Sequence, residues 1–267
     1  MKRLLAILTA VLVAAGCLSL SAFAVPNAEP GVCAQCAIVM DAETGEVLYE
    51  KNADQQSLIA STTKIMTGWL ICRDLDLEET ISVPSEAVGV EGSSLYLREG
   101  EVLTGEELLY GLMLHSGNDA AVALAIACCG SQTAFVARMN RAAKALGLEH
   151  TAFANPHGLD SNGNYSTARD LAILTAAALR DETFRRVVSS KTVTVAGDRT
   201  LTNHNKLLWR CEGCIGVKTG YTRAAGRILV SACQRDGRTL ICVTLNDPDD
   251  WDDHMVLYDY FLPAAEG

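Results

Sequence analysis

In Ser61-Thr62-Thr63-Lys64 a hydroxyl and a primary amine stand three residues apart. At the start of a helix, positions i and i+3 share one face, with β-carbons about 5–6 Å apart. A serine hydroxyl becomes a good nucleophile when a neighbouring base takes its proton. Lysine can be that base once its pKa falls from about 10.4 to near 7, at a cost of roughly 4–5 kcal/mol. Burial and a second nearby cation together supply such a shift. The helix N-terminus also directs amide N–H groups towards Ser61, which suits an oxyanion. Taken alone the spacing is common, and a helix-capping serine beside a solvated lysine satisfies it equally well.

Two further motifs follow. Ser116-Gly117-Asn118 lies between two expected helices; Ser116 can relay a proton to a leaving amine, and Asn118 can hold a substrate backbone or Lys64. A helix stop followed by an Asn or Asp cap explains the same residues structurally. Lys218-Thr219-Gly220 falls on an expected strand and is preceded by Gly216, which lets a ligand approach the strand edge closely. An extended peptide can add to such an edge through main-chain hydrogen bonds, with Lys218 and Thr219 on its terminal carboxylate. A solvated lysine near a turn is the plainer explanation of that tripeptide.

The elements that position these residues read as follows. Ala37 to Met40 and Val47 to Tyr49 form a hairpin around Glu43-Thr44-Gly45, and a helix runs from near Ser61 through Ile71. Thr104-x-x-Glu107 caps a helix over Glu106 to His115. Helices from Asp119 to Cys129 and from Gln132 to Leu146 stop at Gly130 and Gly147, and Thr167 with Asp170 caps another through Leu179. Strands follow at Thr192 to Val195, Gly216 to Gly220, Ile228 to Cys233 and Leu240 to Leu245, the last two joined by an Asp236-Gly237 turn, before a closing helix from Asp252 to Phe261. One sheet built from both chain ends, with helices inserted between them, is the economical architecture, of class α/β (α+β).

Almost half of the 267 residues are apolar, enough for one large domain or two closely packed subdomains. Residues 1–24 read as a secretory signal, with Lys2 and Arg3, an apolar run from Leu4 to Ala15, and small residues at Ala22 and Ala24. The expected exported domain is 25–267, outside the cytoplasm in the cell wall or medium; a retained N-terminal anchor and lipidation at Cys17 are the alternatives. A formal charge of −10 gives no general attraction for nucleic acid. Cys33-x-x-Cys36 and Cys211-x-x-Cys214 have the spacing of zinc-ligand pairs or of disulfides, but about 175 residues separate them. Small buried thiols are the third reading. No metal and no cofactor are expected.

The three motifs in this order match the Ser-x-x-Lys, Ser-Asp-Asn, Lys-Thr-Gly set of penicilloyl-serine enzymes, with Gly117 in place of the middle Asp. Longer stretches extend the match: Ala60 to Thr67, Ser116 to Ala120, Asn155-Pro156-His157-Gly158-Leu159 and Gly216 to Thr222. Over about residues 34–262 the chain resembles the serine-type D-Ala-D-Ala carboxypeptidases, the low-molecular-mass penicillin-binding proteins. Asn246 to Trp251 looks like the branch from spore-forming bacteria.

That resemblance implies an antiparallel sheet flanked by helices, as in serine β-lactamases and DD-peptidases, with an all-helical subdomain carrying Ser116 and Asn118. It implies Ser61 as nucleophile, neutral Lys64 as base, and an oxyanion hole from the backbone N–H groups of Ser61 and Tyr221. Lys218, Thr219 and Gly220 would bind substrate, and Lys218 would also depress the Lys64 pKa. Peptidoglycan stem peptides would be the substrates and β-lactams the covalent inhibitors. Arg227 can stand in for an arginine that some members place beyond the Lys-Thr-Gly strand, a plain surface arginine being the alternative. The sequence ends at Gly267, before the second β-rich domain and amphipathic helix of many members, so membrane association stays open.

His157 has a structural place in a rigid turn, and neither it nor His115 is needed as a base beside Lys64. A class A β-lactamase needs a glutamate to activate deacylating water; after Asn118 the one glutamate before Gly158 is Glu149, outside any Glu-x-x-Leu-Asn element. A non-catalytic peptidoglycan-binding module, and a peptidase acting on cross-links, complete the alternatives.

Overall fold

The computed structural model describes residues 30–262; the expected signal sequence and Cys17 lie outside them. In chain order the strands are β1 (Cys36–Asp41), β2 (Val47–Lys51), β3 (Thr80–Ser82), β4 (Val102–Thr104), β5 (Thr192–Val195), β6 (Arg199–Thr202), β7 (Cys214–Thr222), β8 (Gly226–Arg235) and β9 (Arg238–Leu245). Five of them make the main antiparallel sheet in the order β2-β1-β9-β8-β7. The β1–β9 pairing, from Cys36 opposite Leu245 to Asp41 opposite Leu240, joins the two chain ends as expected. Asp236 and Gly237 both take positive φ, +49° and +78°, which the tight β8–β9 turn requires.

Apolar side chains cover both faces of this sheet. Ile38, Val230 and Val243 point into a core shared with the helices between Lys64 and Ser189. Their strand neighbours Val39, Leu229 and Cys242 point into a second core against the Asp250–Phe261 helix. The alternation of two fully buried faces explains why these strands read as continuous apolar runs. Beneath the sheet, Ser231 Oγ bonds both His254 Nδ1 (2.7 Å) and Tyr258 OH (2.6 Å), and His254 Nε2 meets Thr244 Oγ1 at 3.0 Å. Burial alone lowers the His254 pKa to about 3, so this ring is a neutral strut.

The inserted helices are Lys64–Asp74, Gly105–Leu114, Asn118–Cys129, Gln132–Ala145, Ala168–Leu179 and Glu182–Ser189. Thr104 and Glu107 form the full capping box, each side chain bonding the other's backbone N–H. Gly130 and Gly147 end their helices with φ near +75°, at +77° and +73°. The Glu182–Ser189 helix, capped by Asp181, was absent from the sequence-based layout, as were β3, β4 and β6. Thr192–Val195 is a strand as expected, but it pairs with β6 in a separate two-stranded ribbon and not with the main sheet. Among the described residues, no single helix is long and apolar enough to cross a membrane.

Candidate active site

Residues Ala60–Thr63 form a three-ten turn, and the regular helix begins only at Lys64. This corrects the expectation of a helix starting at Ser61. The change tightens the geometry, because side chains at i and i+3 eclipse in a three-ten turn. Lys64 Nζ lies 3.1 Å from Ser61 Oγ. It also lies 2.7 Å from Asn118 Oδ1 and 2.6 Å from the His157 carbonyl oxygen.

Those two oxygens orient the amine. Asn118 Nδ2 donates to the Glu91 carbonyl at 2.6 Å, so its oxygen faces Lys64 and can only accept. The His157 carbonyl also only accepts. A neutral amine has two N–H bonds and one lone pair. When the amine is neutral, both N–H groups can go to these oxygens and the lone pair can face the Ser61 hydroxyl; the charged form donates to Ser61 Oγ as well. The Lys64 side chain is 0% exposed, and burial, then the nearby Lys218 charge, hold its pKa well below the usual lysine value. Lys218 is 2% exposed and burial lowers it to about 7. Lys64 thus feels burial and a neighbouring cation together, offset in part by the Asp119 carboxylate.

The supports of this triangle are backbone turns. Asn155 Oδ1 accepts from the Gly158 N–H at 2.6 Å, and Thr67 Oγ1 donates to the Pro156 carbonyl at 2.6 Å. Together they fix the carbonyl that Lys64 uses. The His157 imidazole is held neutral chiefly by burial, with a pKa of about 4, and it accepts the Leu159 N–H. Asp119, buried one residue after Asn118, accepts from Ser94 Oγ and from the Leu95 and Leu97 amides. It thereby ties down the 93–97 segment that forms one wall. A Cβ at Gly117 would come within 2.9 Å of Asp119 Oδ1 and 3.2 Å of Leu95 Cγ. The wall is built for glycine at the place where the Ser-Asp-Asn set carries Asp.

On the opposite wall stands β7, hydrogen-bonded within the sheet to β8 alone and therefore an edge strand. A Cβ at Gly220 would sit 3.2 Å from the Ile59 carbonyl and 3.3 Å from the Ser61 nitrogen, so glycine lets the strand approach the nucleophile turn. Gly216 does not have the ligand-facing role read from the sequence. A Cβ there would lie 2.9 Å from Val188 Cγ2 in the Glu182–Ser189 helix, so the glycine makes room for that side chain.

Ser61, Ser116, Thr219, Gly220, Tyr221 and Arg227 all line one cleft of about 550 Å³. Ser116 holds left-handed backbone there, φ +63°, a conformation costing a non-glycine residue of order 1 kcal/mol. Lys218 Nζ donates to the Thr219 carbonyl at 2.9 Å. Arg227 reaches the cleft, but its guanidinium bonds the Asp250 carboxylate at 2.5 Å and lies over the Trp251 ring. Tyr221 projects a 68%-exposed ring from the rim.

Sequence reasoning missed the His157 carbonyl, the Asp119 clamp, and Ser93 and His204, which also line the cleft. The His204 ring packs on His115 at 5.3 Å, and burial, then Lys218 and His115, lower its pKa to about 4. Among the described residues no three His, Cys, Asp or Glu side chains converge on a common metal position. The nine cysteines of the described region are free thiols, so the two Cys-x-x-Cys pairs form neither a zinc site nor a disulfide here.

A family model described as D-alanyl-D-alanine carboxypeptidase matches residues 24–249. The chain is 39% identical over 260 residues to a D-alanyl-D-alanine carboxypeptidase of Streptomyces sp. strain K15, covering 90% of this chain and 89% of that one. It is 36% identical over 219 residues to D-alanyl-D-alanine carboxypeptidase DacF of Bacillus subtilis, covering 79% of this chain and 56% of the relative. The chain thus spans little more than half the length of that relative. Among solved structures, the Streptomyces K15 DD-transpeptidase superposes with a TM-score of 0.82 at 35% identity, covering 87% of this chain and 98% of that one. Penicillin binding protein 6B from Escherichia coli gives 0.83 at 33% identity, covering 88% and 79%.

Proposed function

The chain belongs to the D-alanyl-D-alanine carboxypeptidase family, with the sheet-and-helix fold of the DD-peptidases, and from that premise we propose that it removes the terminal D-alanine of peptidoglycan stem peptides. The reaction runs through an acyl-enzyme on Ser61, on a chain exported after cleavage near Ala24. The observation that carries this reading is the buried Lys64 amine, held by two carbonyl oxygens within hydrogen-bond reach of Ser61 Oγ.

Ser61 Oγ attacks the carbonyl carbon of the penultimate D-alanine while Lys64 takes the hydroxyl proton. The oxyanion is received by the backbone N–H groups of Ser61 and Tyr221. Ser116 relays the proton to the leaving amine, and D-alanine departs. Water then repeats the sequence on the ester, and Lys64 again removes the proton. The peptide adds to the free edge of β7, its carboxylate on Thr219 and Lys218 and its backbone held by Asn118 and the Gly220 segment. Arg227 supplies further positive charge, though Asp250 shares it. β-Lactams acylate the same serine; their leaving nitrogen stays tethered and obstructs the water.

Opposite demands on two lysines give a bell-shaped pH profile of kcat/KM. The acid limb is the protonation of Lys64, which removes the base. The alkaline limb is the loss of charge from Lys218 near pH 7, which weakens hold on the substrate carboxylate. D-Alanine release from diacetyl-lysyl-D-Ala-D-Ala by the full chain, followed across pH, tests both the activity and the assignment. In Lys218→Arg the alkaline limb should move out of range, since guanidinium keeps its charge. No release at any pH overturns the carboxypeptidase reading. An unmoved alkaline limb assigns that titration to another group.

A further inference from the structure

Three thiols near the start of β7 take no part in the chemistry above. Cys211 precedes the strand, Cys214 opens it, and Cys233 lies opposite Cys214 in β8. The Cys-x-x-Cys spacing would join Cys211 to Cys214, but the side chains are arranged otherwise. The thiols of Cys211 and Cys233 converge on one acceptor, the Glu212 carbonyl oxygen, at 3.7 and 3.3 Å. Arg235 closes the cluster: its Nε donates to the same oxygen at 3.1 Å, and its terminal nitrogen lies 3.6 Å from Cys211 Sγ. Cys214 turns away, its sulfur 3.4 Å from the Gly216 carbonyl oxygen and 4.0 Å from the Asn205 amide.

We propose that Cys211 and Cys233 are a redox-active dithiol that closes to an intramolecular disulfide, with Cys211 as the attacking sulfur and a low-molecular-mass disulfide as the oxidant. The Cys233 S–H and the Arg235 guanidinium stabilise a Cys211 thiolate, bringing that thiol to about 7. Cys233 is held protonated by the same neighbour. The Cys211 thiolate attacks one sulfur of the small disulfide; its S–S bond breaks and one thiolate leaves. Capping Cys211 removes the anion beside Cys233, which then releases its proton to solvent. The Cys233 sulfur attacks the Cys211 sulfur, and the second small thiolate departs. Two protein thiols are oxidised to one disulfide, and one small disulfide is reduced to two thiols. The bond ties the entry of β7, the strand carrying Lys218, Thr219 and Gly220, to its neighbour β8.

The test is to treat the folded full chain with oxidised glutathione, block remaining thiols, digest with trypsin and map linked peptides. Trypsin places Cys211 and Cys214 together in residues 211–218 and Cys233 in residues 228–235. The expected product is 211–218 joined to 228–235, with the blocking group on Cys214 and two hydrogen atoms fewer than the same two peptides with Cys211 and Cys233 reduced. The join should persist in Cys214→Ser and disappear in Cys211→Ser. Each replacement exchanges a single atom, and circular dichroism checks that both variants remain folded. A link within 211–218, a join that survives Cys211→Ser, or peptides left unjoined would each overturn the proposal.

Discussion

Replacing Lys64 with methionine will lower the rate of Ser61 acylation by about a hundred- to ten-thousand-fold, the usual worth of a positioned general base. Methionine has similar length and no proton chemistry, and the site it enters is already fully buried. The Asn118 and His157 oxygens lose their common donor, at about 1–3 kcal/mol for each buried acceptor left unpaired. Against that loss stands a gain. Lys64 is neutral in the fold and protonated in the unfolded chain, so the unfolded state binds more protons. Stability therefore rises with pH between the depressed folded value and the ordinary value near 10.4, by up to about 1.4 kcal/mol per pH unit from this residue. Below that window Lys64 costs stability, and Lys64→Met removes the cost. Acylation by a chromogenic β-lactam and urea unfolding at several pH values check both halves. A variant that acylates at the parental rate would remove Lys64 from the chemistry. An unchanged pH slope would mean that the amine is charged in the folded protein.

Gly158→Ala should be the costliest methyl group in the molecule's glycine turns. Gly158 has φ +93°, and an added Cβ would meet the Ala60 carbonyl oxygen at 1.9 Å and the Ser61 nitrogen at 3.0 Å. Both obstacles are backbone of the nucleophile turn, so relief requires moving Ser61 itself. A loss of more than about 4 kcal/mol is expected, the range reached only when packing or backbone geometry fails. Gly130 provides the comparison, with φ +77° and nothing within 4 Å of the added carbon. Gly130→Ala should cost only about 1–2 kcal/mol for left-handed backbone. Urea midpoints of the two variants decide the matter. Equal losses would mean that the contact between the 155–158 turn and the Ser61 turn is soft.

Much of this site was legible because its chemistry sits in side chains grouped in short local motifs. Ser61 with Lys64, Ser116 with Asn118, and Lys218 to Gly220 each combine a reactive type with a fixed local spacing. The capping box at Thr104 and the Asp236-Gly237 turn were equally local, and each formed as its residues dictate. Long-range partners were not legible. The His157 oxygen that orients Lys64 is a backbone atom 93 positions away, and any residue type supplies such an oxygen. Asp119 appeared in the motif only as the neighbour of Asn118, although its carboxylate anchors a segment some 22 to 25 residues earlier.

Strand propensity marked Thr192–Val195 but could not name its partner, four residues of β6 too short to show a period. The Glu182–Ser189 helix did carry a signal, an Asp181 cap before Phe184, Val187 and Val188 at helical spacing. Gly216 was recognised as a place of close approach, yet what approaches is Val188 and not a ligand.

The role of Ser61 is tested most directly by locating the acyl group. The full chain and Ser61→Ala are incubated with benzylpenicillin, weighed intact, and digested. One whole penicillin should attach per parent chain, on the tryptic peptide 52–64 that contains Ser61, with no adduct on Ser61→Ala. An adduct on the variant, or on any other peptide of the parent, would mean that the nucleophile is a different residue.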